Sequence, residues 1–497
     1  MSRYGVAVYG EDTYGVEGAG TTLLWGLDIA WQTEGVYTGT NYAQYMTNCT
    51  WSRGRRQYLN QGGKGISMPE VGRCTIELDN DTGIFTPTNT SGSLYPYIVP
   101  GAYAKLRVRN GEAGTIYNVF AGKVISIEPL WGGLNPKVQV VMEDGWRLLN
   151  DSDVNITYAA NTTSSVAVAS VLTAADWPDI WGTDIETGDY QIKYFGARDK
   201  RAVEVLKDIV NYEFGRTAVA GDGKFLYRKK VQAETTAAIA FSQTDMLKDV
   251  QITQRYDSIR NCAKVKVTAY KAAPAQSNMG PPDPIEVWTM DDTPYFTSHD
   301  SLNVYGEFEH QNHHFIASLL TTLEATTDYQ ANANEAGDGT DLTGQFQITV
   351  TGYADRARYE IYNAGTNAAY LTKLQQRAFG YFSPDPTWIE KDESTTVRRV
   401  VEIDSPYMQT MAKGKTQAEY ILDVTASEIL PRFQLEAQPS KQFAFDLLDQ
   451  VTVDIPAHGI ARQRYFVAAI DGQWLTDNGQ AVLTTVTLET AKEGGIA

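Results

Sequence analysis

TWSRGRRQYLNQGGKGISMPEVGRCTIELDNDTGIFTPTNTSGSLYPYIVPGAYAKLRVR runs from Thr50 to Arg109, and FAGKVISIEP follows from Phe120 to Pro129. Within it, Leu106 and Val108 alternate with Lys105, Arg107 and Arg109. A period of two predicts a strand with one buried and one wet face. VGRCTIELDN, NVFAGKVISIEP and PKVQVVMEDG have the same texture, separated by the Asn, Asp, Gly and Pro that favour turns. From about Leu23 to residue 155 the sequence therefore predicts a barrel or a sandwich.

The texture then changes. Ser164 can cap a helix running through Ala175, and Asp199 can cap a second whose Ala202, Val203, Leu206, Ile209 and Val210 share one face, with Gly215 as its stop. Residues 156–240 read as a small α/β domain. Strands return in DVQITQ and AKVKVTAY, before the proline-rich stretch Ala272 to Pro284, a natural domain edge. QFQITVTG and ARYEIYN alternate cleanly and predict an inserted β-sandwich over 281–396. A helix follows from about Gly414 to Leu430, with Ala418, Ile421, Leu422 and Thr425 on a face and Pro431 ending it. The sequence finishes with the strands DQVTVDIP, RYFVAAIDGQW and AVLTTVTLET.

At 497 residues the chain exceeds the size at which one core stops growing, so about three or four domains are expected. Its 29 Tyr and 42 Gly suit short strands and glycine turns, giving a mainly β, multi-domain α+β class. Lys and Arg total 42 against 60 acidic residues, a net charge of −18, which argues against holding nucleic acid or anionic lipid by phosphate contacts. No apolar run approaches the ~20 residues of a membrane-spanning helix, and the N-terminus does not have the form of a secretory signal. Tyr4, Tyr9 and Tyr14 recur every five residues in a glycine-rich start, residues 1–22. This segment reads either as an arm that docks on a neighbour through its rings or as a loose leader.

Fragments of chemical motifs occur, each incomplete. Lys413 to Thr416 reads KGKT, but a phosphate loop needs Gly at 409, where Gln stands. Asp79 to Gly83 opens like a calcium loop, yet the twelfth position is Thr90 instead of a bidentate Glu, so a turn is expected. His310, His313 and His314 lie beside Glu307 and Glu309, but strand alternation would send His313 and His314 to opposite faces. Cys49, Cys74 and Cys262 are odd in number and widely spaced, and read as buried free thiols. No catalytic residue, cofactor or metal is expected.

The ordered series Ser52-Arg53-Gly54-Arg55, Leu78-Asp79-Asn80, Gly83, Phe85, Pro87, Asn89, Pro100-Gly101 and Phe120-Ala121-Gly122 resembles the N-terminal domain of tailed-phage minor tail proteins of the baseplate-hub, or tail-tip, family. Later segments resemble it too, although Asp446 to Asp449 reads DLLD where a Gly-Asp turn is expected. The resemblance implies two tail-tube-like β-barrels, over 23–155 and over 241–275 with 397–492, flanking the α/β domain and carrying the inserted sandwich. It further implies a homotrimeric hub that closes the tail tube in the virion and is made in the bacterial host cytoplasm. Its implied neighbours are the distal tail or tube protein, the tape measure and fibre or tip proteins, with DNA present only in transit. A glycan-binding adsorption protein is the alternative for a chain this rich in strands and tyrosine, followed by a distal-tail ring protein.

Overall fold

A computed structural model describes residues 22–32, 40–56, 64–130, 135–229, 239–245, 250–253, 259–273, 283–394, 397–425, 430–436 and 439–490. The structure is mainly β, with several sheets and a minority of helix. Among the described residues the largest sheet has twelve strands and takes in both Leu23–Ile29 and Val482–Thr490. Leu23–Ile29 lies at one edge, followed in order by Tyr103–Asn110, Ile116–Leu130, Lys137–Glu143, Glu70–Asp79 and Met46–Gly54. The sheet then continues into Ile460–Trp474, Val482–Thr490, Leu430–Glu436 and Gln251–Thr253, with Gln450–Ile455 and Ile239–Ser242 branching from Ile460–Trp474.

Alternation explains the first half. Cys74, Ile76 and Leu78 are buried on one strand, and Ala104, Leu106 and Val108 on another, while the residues between them face outward. They share a core with Trp25, Phe85 and Phe120. A second core, built on Phe241, Phe433, Val453, Tyr465 and Leu488, underlies the C-terminal strands. Every apolar side chain placed there removes its area from water at roughly 25 cal/mol per Å².

The α/β part pairs Asp153–Thr163 with Gln191–Arg201 and packs the helices Ser164–Ala174 and Ala202–Glu213 against them. Its core also takes Val265, Ile403 and Ile421. These come from a separate three-stranded sheet of Cys262–Val267, Thr387–Asp392 and Val400–Ile403, covered by the helix Met411–Thr425. Cys262–Val267 and Val400–Ile403 thus stand outside the twelve-stranded sheet. In the segment between, Ala369–Phe382 pairs with five other strands, and a second sheet of Ser301–Glu307, Arg356–Asn363 and Phe346–Gly352 shares its core of Phe296, Phe315, Tyr359 and Leu371.

Four local expectations are corrected. Thr163, not Ser164, caps the first α/β helix, accepting from Val166 N at 3.4 Å. Asp199 lies outside the second helix, whose N-cap is Arg201 with no side-chain bond. That helix ends on Phe214 at φ +57°, so Phe214 and not Gly215 makes the left-handed turn, and Val205 is buried more deeply than Val203. Met411–Thr425 stops before Pro431, which instead stands in a strand opposite Ile252. Pro431 precedes the residues of that strand that pair with Val482–Thr490, which start at Arg432.

Candidate functional site

Ser52-Arg53-Gly54-Arg55 lies at the seam of the large sheet, where Thr50 to Gly54 pair with Gln473 to Ala469. Gly54 has φ +99°, and a Cβ there would stand 2.2 Å from the Ala468 carbonyl oxygen, so no side chain fits. The arginines on either side turn inward and are buried. Arg53 donates to Asp446 at 2.7 Å, and the Asp446 carboxylate also accepts from Gly221 N at 2.7 Å. Arg55 donates to Glu489 through Nη2 at 2.5 Å and Nε at 3.0 Å, and Arg216 donates to the same carboxylate at 2.5 Å. Burial alone would raise the Glu489 pKa, but the two guanidinium charges outweigh it and hold the carboxyl below its ordinary range.

Two acidic residues complete the seam. Asp446 opens the DLLD turn, in which Leu448 at φ +66° adopts the left-handed conformation that the expected glycine would have supplied. Asp144 caps the helix Gly145–Asp151 by accepting from Trp146 N at 3.0 Å. It is fully enclosed, and burial pushes its pKa up to about 7 against the backbone N–H groups of Trp146 and Gly72 and the charge of Arg53. The seam therefore knits the first strands, the α/β unit and the closing strands through ion pairs whose arginines are held away from water.

A cleft of about 230 Å³ opens where the α/β unit meets the inserted sheets. Tyr158, Tyr194, Tyr270, Tyr407, His314 and Asp355 line it. The Tyr194 and Tyr270 ring centroids are 4.9 Å apart at 65°, and Tyr158 lies 5.2 Å from the His314 ring. Gln409 fixes Tyr194 by bonding both its backbone N–H and its carbonyl, at 2.9 and 2.8 Å, and Tyr407 donates to the Gly196 carbonyl at 3.0 Å. At the rim Arg198 pairs with Glu307 at 2.5 Å across the two parts. Burial would raise the Asp355 pKa, but a hydrogen bond from His314 and the charges of His314 and Arg356 hold it low. Burial, then the Asp355 charge, pushes Tyr158 up to about 12, and burial first raises Tyr270 as well.

The residues singled out in the sequence do not converge. His310 and His313 pack around Phe382, whereas His314 faces the cleft, so the strand separates them as alternation requires. KGKT lies inside the helix Met411–Thr425, with the Lys413 ammonium over the Tyr190 ring. Asp79 to Gly83 forms a turn in which Asn80 bonds Phe85 N and Thr86, while Asp79 accepts from Asp81 N. Cys49, Cys74 and Cys262 are buried and free, with the first two sulfurs 4.0 Å apart. Tyr4, Tyr9 and Tyr14 lie outside the described residues.

Neither the cleft nor the seam was legible as a site, since each is assembled from distant segments. The same holds for Cys262, Glu390 and Asp392, whose ligand atoms lie within 4.8 Å of one another. Arg398 donates to the Cys262 sulfur at 3.2 Å, pairs with Glu390 and reaches Asp392 at 3.1 Å, and Lys264 lies 3.6 Å from Glu390, so two cations already serve that group. Among the described residues no helix is long and apolar enough to cross a membrane.

No family model and no curated protein matches the sequence. Solved structures do match in shape. The 43 kDa tail protein of prophage MuSo2 from Shewanella oneidensis aligns over 94% of this chain and 98% of its own, with a TM-score of 0.50 at 11% identity. This is a phage tail-protein fold. The tail protein from Neisseria meningitidis MC58 aligns over 94% of this chain and 96% of its own (TM-score 0.49, 10% identity). Prophage tail protein gp18 from Listeria monocytogenes EGD-e aligns over 95% of both (TM-score 0.41, 8% identity).

Proposed function

We propose that this chain is a structural component of a phage tail tip, a hub that closes the distal end of the tail tube and forms part of the DNA ejection channel. The observation that carries this reading is the near end-to-end agreement in fold with the Shewanella prophage tail protein. In this reading the chain is a homotrimer in the virion, made in the host cytoplasm, and 23–155 and 241–275 with 397–492 each present a tube-like barrel. The inserted 281–396 and the α/β domain 156–240 lie between them. Three chains at −18 give −54, and a wall of that sign lets duplex DNA pass without phosphate contacts that would brake it.

Other tail proteins are the partners: distal tail or tube protein, tape measure, and fibre or tip proteins. The N-terminal arm, residues 1–22, docks on one of them through Tyr4, Tyr9 and Tyr14, whose rings need an apolar surface that a glycine-rich segment does not provide. The role needs no catalytic group. Native mass spectrometry of the assembled protein, with a reconstruction of the tail tip, tests the reading: three copies in the ring are expected. Six identical copies would replace the hub with a distal-tail ring protein. A stable monomer that binds glycan arrays would favour an adsorption protein instead.

A further inference from the structure

We propose that the tyrosine-lined cleft is a receptor for an organic cation, an alkylammonium or guanidinium head group. Four tyrosines, 158, 194, 270 and 407, line a space of about 230 Å³, enough for a head group and not for a folded element. Aromatic faces carry negative electrostatic potential and attract a cation that comes within about 6 Å, most strongly where water is thinned out.

The charges around the cleft agree. Its lining cations are already engaged, Arg198 with Glu307 at 2.5 Å and Asp199 at 3.3 Å, and Lys200 with Asp208 at 3.5 Å. Of its three carboxylates, Glu307, Glu309 and Asp355, the first is paired with Arg198. Glu309 lines the cleft with no ion pair among the described residues, and Asp355 is buried beside His314 as a carboxylate. The phenol oxygens of Tyr158 and Tyr270, also without hydrogen-bond partners among the described residues, can accept from N–H donors. A bound cation would therefore meet aromatic rings, the Glu309 carboxylate and unused acceptors together. A neutral sugar would gain the acceptors but no charge attraction.

The head group could belong to a small quaternary ammonium compound or to a lysine or arginine side chain of a neighbouring protein. Calorimetric titration of the full chain with tetramethylammonium, Nα-acetyl-lysine amide and Nα-acetyl-arginine amide separates the two. Tighter binding of tetramethylammonium points to the small molecule, and tighter binding of the amides points to a protein side chain.

Tyr270→Leu should weaken each probe about tenfold. Tyr270→Phe, which keeps the ring and loses only the oxygen, should leave tetramethylammonium within about twofold and weaken the N–H donors more. Glu309→Gln is exposed, so it keeps the test open should Tyr270→Leu fail to fold; it should weaken every probe. The absence of saturable binding in the millimolar range would overturn the proposal. So would equal affinities in the unmodified chain, Tyr270→Leu and Glu309→Gln, or binding of a neutral hexose as tight as that of tetramethylammonium.

Discussion

Replacing Glu489 by Ala tests whether the seam's ion pairs hold the ends of the chain together. Glu489, Arg55 and Arg216 each expose 3% of their side chains. The carboxylate accepts two N–H groups from Arg55 and one from Arg216. Its removal takes away a carboxylate that two guanidiniums share in a place where water does not reach it. Breaking a buried pair in this way costs about 3–5 kcal/mol. At about 2–4 °C per kcal/mol for a unit of this size, the transition reporting the large sheet should fall by about 6–20 °C in scanning calorimetry. Glu489→Gln keeps an acceptor and should fall by less. The triple replacement Arg55→Met, Arg216→Met and Glu489→Leu removes all the charges and should return close to the original midpoint. A drop under about 2 °C for Glu489→Ala, or a triple variant as unstable as the single one, would refute the reasoning. Acid adds a check: the folded carboxyl titrates below its ordinary 4.5, so its contribution is present above that pH and is lost as pH falls through the lower folded value.

Asp144 should act in the opposite sense. With its folded pKa near 7 against an ordinary 3.8, its favourable contribution is complete below pH 3.8 and is lost as pH rises through about 7, so Asp144→Asn should flatten the decline of the melting midpoint over that window. An unchanged slope would count against it. Gly54→Ala should destabilise the seam by about 2–4 kcal/mol, through both its left-handed φ and the contact with Ala468, and should speed amide exchange at residues 469–473. Arg198→Ala should cost less than about 1 kcal/mol, because the Glu307 partner is exposed and screened; a larger loss in thermal melts would show the rim pair to be structural.

Alternation alone located Leu106, Val108 and the residues around them, because a half-buried strand must repeat every two positions. The motif at Ser52 to Arg55 stood out in the sequence, but its purpose did not. Asp446 and Glu489 lie 393 and 434 residues away from the arginines they meet, and no local pattern pairs such positions. The cleft was hidden for the same reason, its walls coming from near residues 158, 194, 270, 314, 355 and 407. Helix ends failed where backbone geometry overrode residue preference. Phe214 and Leu448 take positive φ because their side chains are anchored in cores, a gain that glycine does not offer. Asp446 to Asp449 therefore keeps the turn while departing from the expected residues.

The pairing of Thr50 to Gly54 with Ala469 to Gln473 also sets a timetable. The strand Met46–Gly54 emerges early in synthesis, yet one of its two neighbours emerges about 400 residues later, after roughly 20–80 s at about 5–20 residues per second. Throughout that interval an edge strand with unpaired amides waits beside other nascent chains, the arrangement that invites wrong partners. Sheet completion is therefore a late step of high contact order, and fragments truncated before Ile460 should be recovered as aggregates more often than as monomers. A chain that can finish its largest sheet only when Ile460–Trp474 arrives has, in effect, made the synthesis of that strand a condition for closing its own fold.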